Sequence, residues 1–202
     1  MENDFDRVIE KFNMLRQINK VEFQPVSEEI VTGFENRWNI ILPENYRRLL
    51  LSVGYVKLLN DGYSLLLSLD EVVEDAVSYF SDTPIPNDLF SAPFPFTTAW
   101  LGKDKFDDEA DYLEQVRQKI GTVRGALTLC SGGCTTRYIL VVSGTERGNV
   151  WWDDRWDCFS VAPEPFTPQG SDEHDRAIPI EPGNRVTFYQ WIEGYVDHWL
   201  AS

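Results

Sequence analysis

The chain has 202 residues, 43% hydrophobic and 13% aromatic, so it can bury one substantial core but is short for two. Its formal net charge is −15 and its pI about 4.4, and such a surface would repel a phosphate backbone. These values argue against nucleic acid as a direct partner. They favour a basic protein partner, although acidity can also serve only to keep a protein soluble.

The amino terminus, the apolar runs and the cysteines of the chain indicate where in the cell the protein is expected. The amino terminus, MENDFDRVIE, has neither the basic flank nor the apolar segment of a signal peptide. No apolar run approaches the roughly 20 residues that span a bilayer. Cys130, Cys134 and Cys158 are too few for a disulfide scaffold. We therefore expect a cytoplasmic protein with reduced thiols and no membrane partner.

The first part of the chain is predicted to be helical. Apolar residues recur at three- and four-residue steps over residues 5–18, which indicates an amphipathic helix. A second helix is expected after Pro25 with Ser27 as its N-cap, and a third between Pro43 and Gly54. The apolar face predicted for the second helix consists of Ile30, Val31, Phe34 and Trp38.

The hydrophobic period changes after the third helix. Residues 55–59 and 63–67 flank Asn60-Asp61-Gly62, whose glycine suits a tight turn, so a β-hairpin is predicted. Ser68 and Glu71 have the spacing of a capping box, which predicts the start of another helix.

Strands are predicted to dominate the second half. The proline-rich residues 81–96 are interpreted as a loop, ordered by Phe90, Phe94 and Phe96. Residues 126–130 and 138–142 have strand patterns around a glycine turn. Residues 162–186 are expected to form a long loop, and 188–200 trace an amphipathic helix packed on the sheet.

These elements together predict an α+β fold. The expected arrangement is a single domain over residues 1–202. Its mainly antiparallel central sheet is packed by the amino-terminal helices and a carboxy-terminal helix. We expect a monomer or a weak homodimer.

The run from Gly148 to Asp157, GNVWWDDRWD, holds three tryptophans and three aspartates. As a strand it would direct Trp151 to the core on one face and Trp152 to the other face. Asp153 and Asp154 would then lie at its end, where carboxylates commonly accept backbone hydrogen bonds or pair with a cation. A partner-binding surface is the second interpretation. A glycosidase-like carboxylate pair is disfavoured, because adjacent side chains on a strand diverge.

The sequence predicts no metal or cofactor site. Cys130 and Cys134 are four residues apart, but only His174 and His198 could join them, so structural thiols are favoured over zinc. An acidic segment lacks the glycine and spacing of a calcium loop. It is interpreted either as a solvated face or as a docking strip for a cationic protein: Asp104, Asp107, Asp108, Glu109 and Asp111.

Four stretches form a recognisable series. In chain order they are LPENYRRLL at 42–50, Gly125 to Gly144, Gly148 to Asp157 with Pro163, and Phe188 to Trp191. Their order and spacing resemble the SUKH superfamily, which includes fungal cell-wall-synthesis regulators and many bacterial toxin-immunity proteins. The chain departs from the family at Ser52-Val53-Gly54, where Asn-Gly-Gly is frequent, and in a variable, poorly matching insertion at 97–124.

The resemblance implies a non-enzymatic protein-binding domain. It points first to an immunity protein that neutralises a cognate, basic toxin such as a nuclease, because a groove that binds phosphates would also attract an acidic inhibitor. The alternative is a scaffold or regulatory domain of SMI/KNR type without a toxin. The predicted partner-binding residues are Trp152, Asp153, Asp154 and Trp156, with Asp107, Asp108, Glu109 and Asp111 of the insertion.

Overall fold

A computed structural model of the chain describes residues 2–59, 64–78, 84–101, 124–133, 136–154, 160–164 and 185–201. The described helices are α1 (Glu2–Gln17), α2 (Glu28–Trp38), α3 (Glu44–Ser52), α4 (Leu69–Ser78) and α5 (Phe188–Ala201). The strands are β1 (Val21–Gln24), β2 (Tyr55–Leu58), β3 (Ser64–Leu66), β4 (Trp100–Leu101), β5 (Ala126–Gly133), β6 (Thr136–Val141), β7 (Val150–Asp154) and β8 (Ser160–Pro163). The predicted α+β class is confirmed.

The strands form two antiparallel sheets. β1, β2 and β3 pair in that order, and the larger sheet has the order β4-β8-β7-β6-β5. The predicted hairpin is the β2–β3 pair, while its turn at 60–62 lies outside the described residues. The sheets meet where the Leu67 N–H donates to the carbonyl of Leu129 at 2.8 Å. The chain thus has a second sheet beside the antiparallel sheet expected from its sequence.

Side-chain caps fix the starts of two helices as predicted. Ser27 Oγ accepts from the Ile30 N–H at 3.3 Å, and Ser68 and Glu71 make the reciprocal bonds of a capping box at 2.7 and 3.1 Å. The predicted place of Ile30 on the apolar face was wrong, since its side chain is 55% exposed. Ile30 lies about 100° round the helix from Val31, and the buried face runs through Val31.

Three short strands were not predicted. β1 and β4 have four and two residues, too few to show a period, and they form by pairing with the neighbouring strands β2 and β8. β8 reaches Pro163 and so takes the first two residues of the loop expected over 162–186. Residues 165–184 of that loop lie outside the described chain.

The larger sheet is buried on both faces. Its first face packs against the helices in the main core, to which α5 contributes Phe188, Trp191, Ile192 and Val196. Its second face carries a smaller core of Phe94, Ala126, Ile139, Val141, Trp151 and Val161. The expected ordering role of Phe90 and Phe94 in the proline-rich loop is confirmed, since both are buried.

Gly54 sits where α3 ends and the chain passes β1. Its φ is +83°, and a Cβ built there would lie 1.7 Å from the carbonyl oxygen of Gln24. Gly54→Ala is therefore expected to lower the free energy of unfolding by about 3 kcal/mol or more, combining left-handed strain with a backbone clash. Urea denaturation measures this change.

Gly33 is the matched control. It lies in α2, and a Cβ there would meet nothing within 4 Å. Gly33→Ala should raise the free energy of unfolding by up to about 1 kcal/mol, because alanine is the better helix former. Equal stability of the two alanine variants would contradict this account of Gly54.

Candidate partner-binding site

Strand β7 carries three of the predicted contact residues: Trp152, Asp153 and Asp154. Trp151 is fully buried in the second core, while Val150 and Trp152 contact the main core. The predicted division of the two tryptophans between opposite faces is confirmed. Trp152 is only half-buried, so part of its ring remains exposed to solvent.

The two aspartates at the end of β7 also divide between the faces. Asp153 lies across from Arg137 on β6, and Asp154 lies across from Ser160 on β8. Because side chains alternate along a strand, Asp153 shares the face of Trp151 and Asp154 the face of Trp152. They are 4% and 3% exposed. The two carboxylates therefore do not converge on one ligand.

A polar network lies on the Asp153 face. Asp75 of α4 accepts one hydrogen bond from Thr128 Oγ1 at 2.7 Å and another from Arg137 Nε at 2.8 Å. These bonds tie α4 to β5 and β6. Asp153 is the cross-strand neighbour of Arg137. Arg137 therefore has two acidic neighbours, Asp75 and Asp153.

The face beneath α5 is aromatic. Cys130, Tyr138, Trp152 and Ala162 form one row across four strands. Above this row α5 places three rings: Trp191, Tyr195 and Trp199. The Tyr138 ring centroid lies 5.7 Å from Trp191 and 6.0 Å from Tyr195, and Tyr195 lies 5.7 Å from Trp199.

Cys130 behaves as a structural thiol within this face. Its side chain is buried, and burial, with a smaller contribution from the nearby Glu164 carboxylate, raises its pKa. The thiol therefore stays protonated and a poor metal ligand. Within the part of the chain that the structure describes, no group of three or more His, Cys, Asp or Glu side chains could hold a metal ion.

Four loops meet at the opposite end of the larger sheet, beyond the start of β7. Arg147 Nη2 donates to the carbonyls of Ile41 and Leu42, both at 3.0 Å. Ser143 Oγ donates to the carbonyl of Ser91, and the Phe188 N–H donates to that of Gly148. The Leu42-Pro43 and glycine motifs of the sequence thus have structural roles in joining these loops.

The described surface leaves negative charge uncompensated. Most of its arginines and lysines already pair with carboxylates, as in Arg7–Glu193, Lys11–Asp197, Arg47–Glu35, Arg48–Asp6, Arg124–Asp88 and Arg185–Glu146. Helix α4 exposes Asp70, Glu71 and Glu74, and it has no basic residue in its last turn. A cationic partner would meet an excess of carboxylates here.

The remaining predicted contact residues are outside the described chain: Asp107, Asp108, Glu109, Asp111 and Trp156. The described chain does fix where their segments begin. Leu101, the last described residue in the first part of the insertion, lies across from Ser160, which lies across from Asp154. Strand β4, which holds residues 100 and 101 of the insertion, therefore ends level with the end of β7.

The comparisons with known proteins now define the class of protein. The model of the SMI1 / KNR4 family (SUKH-1) matches residues 25–165, and the chain belongs to this family. Three of the four resembling stretches lie within the match, and Phe188–Trp191 lies beyond it. No curated protein matches the chain. Among the described helices, none is long and apolar enough to cross a membrane.

Several residues around Trp152 were missed by the sequence analysis. The strand register places Tyr138 and Glu164 beside Trp152. The docking of α5 then brings Tyr195, with Trp199 next to it, against Tyr138. The strong aromatic pattern of α5 was visible, but it was interpreted as core alone. Arg137 gave no signal, because its partner Asp75 is 62 residues away in sequence.

The Asp75–Arg137 bond allows a test of the network. Arg137→Met should lower the free energy of unfolding by about 1–3 kcal/mol, since it leaves Asp75 with one fewer donor at a site where both side chains are mostly buried, 17% and 24% exposed. In the Arg137→Met background, Asp75→Asn should lower the free energy of unfolding by about 1 kcal/mol less than it does in the wild type. Purely additive costs in urea denaturation would show that the bond does not stabilise the fold.

Proposed function

We propose that this protein is a non-enzymatic immunity protein that binds a cognate, basic toxin and neutralises it. The observation that carries the proposal is membership of the SMI1 / KNR4 family (SUKH-1) over residues 25–165. This family supports a protein-binding domain of the immunity or regulatory kind. The toxin partner itself is our inference from the charge and from the geometry around β7.

Charge supports a cationic partner. The chain carries a net −15, and most described cations are already held in ion pairs. A nuclease toxin must attract phosphates, so its groove is basic and would steer an acidic protein towards itself. Long-range steering of this kind raises the association rate more than it slows dissociation.

We divide the predicted contact residues by exposure. Half-buried Trp152 and the carboxylates of the insertion at 107–111 are proposed as direct contacts, together with Trp156. Asp153 and Asp154 are too buried in the free chain for broad contact, so they are proposed to support the end of β7.

The proposal predicts a loss of electrostatic steering when the insertion is reversed in charge. At low ionic strength the triple variant Asp107→Lys, Asp108→Lys, Glu109→Lys should associate with a cognate toxin at least about tenfold more slowly than the wild type. The difference should shrink at about 0.15 M salt, where the Debye length is about 8 Å. Stopped-flow kinetics measure the association rate constants of the wild type and the variant at both salt concentrations.

The matched control changes net charge equally at exposed positions elsewhere: Glu10→Lys, Glu22→Lys and Glu29→Lys. If control and insertion variants slow association equally, the insertion is not the contact. If the wild-type protein neither binds the toxin nor protects cells that co-express it, the immunity function is wrong. A scaffold or regulatory role within the same family would then be the function to pursue.

A further inference from the structure

A cluster of rings and one carboxylate lies between α5 and strands β6 to β8. We call it the aromatic–acid cluster, and it consists of Tyr138, Trp152, Glu164, Tyr195 and Trp199. Trp152 is the cross-strand neighbour of Tyr138, and Tyr195 contacts both Tyr138 and Trp199 with its ring. The cluster thus joins strands β6 and β7 to two turns of α5.

Strand register places a carboxylate on each side of Trp152. The Glu164 N–H donates to the carbonyl of Val150 at 3.1 Å. Val150 and Glu164 are each two residues from the Trp152–Ala162 pair. Glu164 therefore shares the face of Trp152 and lies diagonal to it. Asp154, two residues after Trp152 on the same strand, shares that face as well.

The cluster has a buried floor and a partly exposed rim. Tyr138 is 6% exposed, whereas Trp152, Glu164, Tyr195 and Trp199 are half-buried. Burial and, to a smaller extent, Tyr138, Cys130 and the Glu164 carboxylate raise the pKa of Tyr195. In such surroundings a carboxylate interacts more strongly with a cation than it would in water.

Aromatic rings beside a carboxylate are suited to bind a planar cation that can stack on a ring. Ring faces attract cations through their quadrupole, and an arginine guanidinium can stack on a ring while it donates paired hydrogen bonds to a carboxylate. A lysine ammonium is a compact, strongly hydrated charge and gains less from stacking. We propose that the aromatic–acid cluster binds one arginine side chain presented by the basic partner.

This inference rests on the proposed function for the source of the arginine, but its chemistry can be tested without the toxin. The probe is N-acetyl-arginine amide, titrated into the full-length protein and followed by proton NMR. We expect saturable, ring-current shifts of the side-chain methylene protons of the probe. N-acetyl-citrulline amide has nearly the same shape without the charge, and it should show no saturable shift.

Two variants separate a local site from general acidity. Glu164→Gln should weaken binding of the arginine probe about tenfold, the loss expected when a charge-assisted hydrogen bond is removed. Glu74→Gln removes the same charge from the exposed face of α4 and should leave affinity within about twofold of the wild type.

Three results would overturn the inference: no saturable shift with the arginine probe, equal shifts with citrulline, or equal losses in Glu164→Gln and Glu74→Gln. Failure of the immunity function has a different signature. In that case the arginine probe binds the cluster as expected, while no candidate toxin binds the protein.

Discussion

Trp151 and Trp152 are neighbours in the chain, yet they pack into different cores, and this division organises the larger sheet. Its first face must be covered by α5, whose Trp191 and Ile192 are completely buried. Its second face is covered in part by Phe94 of the proline-rich loop, whose ring lies 4.9 Å from Trp151. Both layers depend on the two-residue period of β7. A shift of one residue in its register would exchange the faces of all its side chains.

The same alternation decides what chemistry the acidic end of β7 can perform. Asp153 faces the polar network of Asp75 and Arg137, whereas Asp154 faces the aromatic side beneath α5. Carboxylates on opposite faces of a sheet cannot act together on one bond, which is what glycoside hydrolysis requires. Paired with aromatic rings on one face, a carboxylate is instead suited to recognition of a cation. This division agrees with a protein-binding family.

Local sequence signals predicted the elements, and long-range contacts decided the site. The capping residues Ser27 and Ser68 and the alternation of β7 act over a few residues, so they could be interpreted from the chain alone. The position of Glu164 beside Trp152 depends on the pairing of β7 with β8, and β8 is only four residues long. The burial of Asp153 and Asp154 also escaped prediction, because it depends on layers packed over both faces. Elements were thus predictable where one segment determines them, but not where several segments meet.

We propose that the partner is recognised on the Trp152 face of β7 and not on the Trp151 face. Indole N–H signals in ¹⁵N NMR spectra of the free and toxin-bound protein test it most directly, with the Trp152 signal assigned from Trp152→Phe. On binding, the Trp152 signal should shift strongly while the Trp151 signal stays in place, because Trp151 is fully buried behind the sheet. A shift of Trp151 with an unchanged Trp152 would contradict the account.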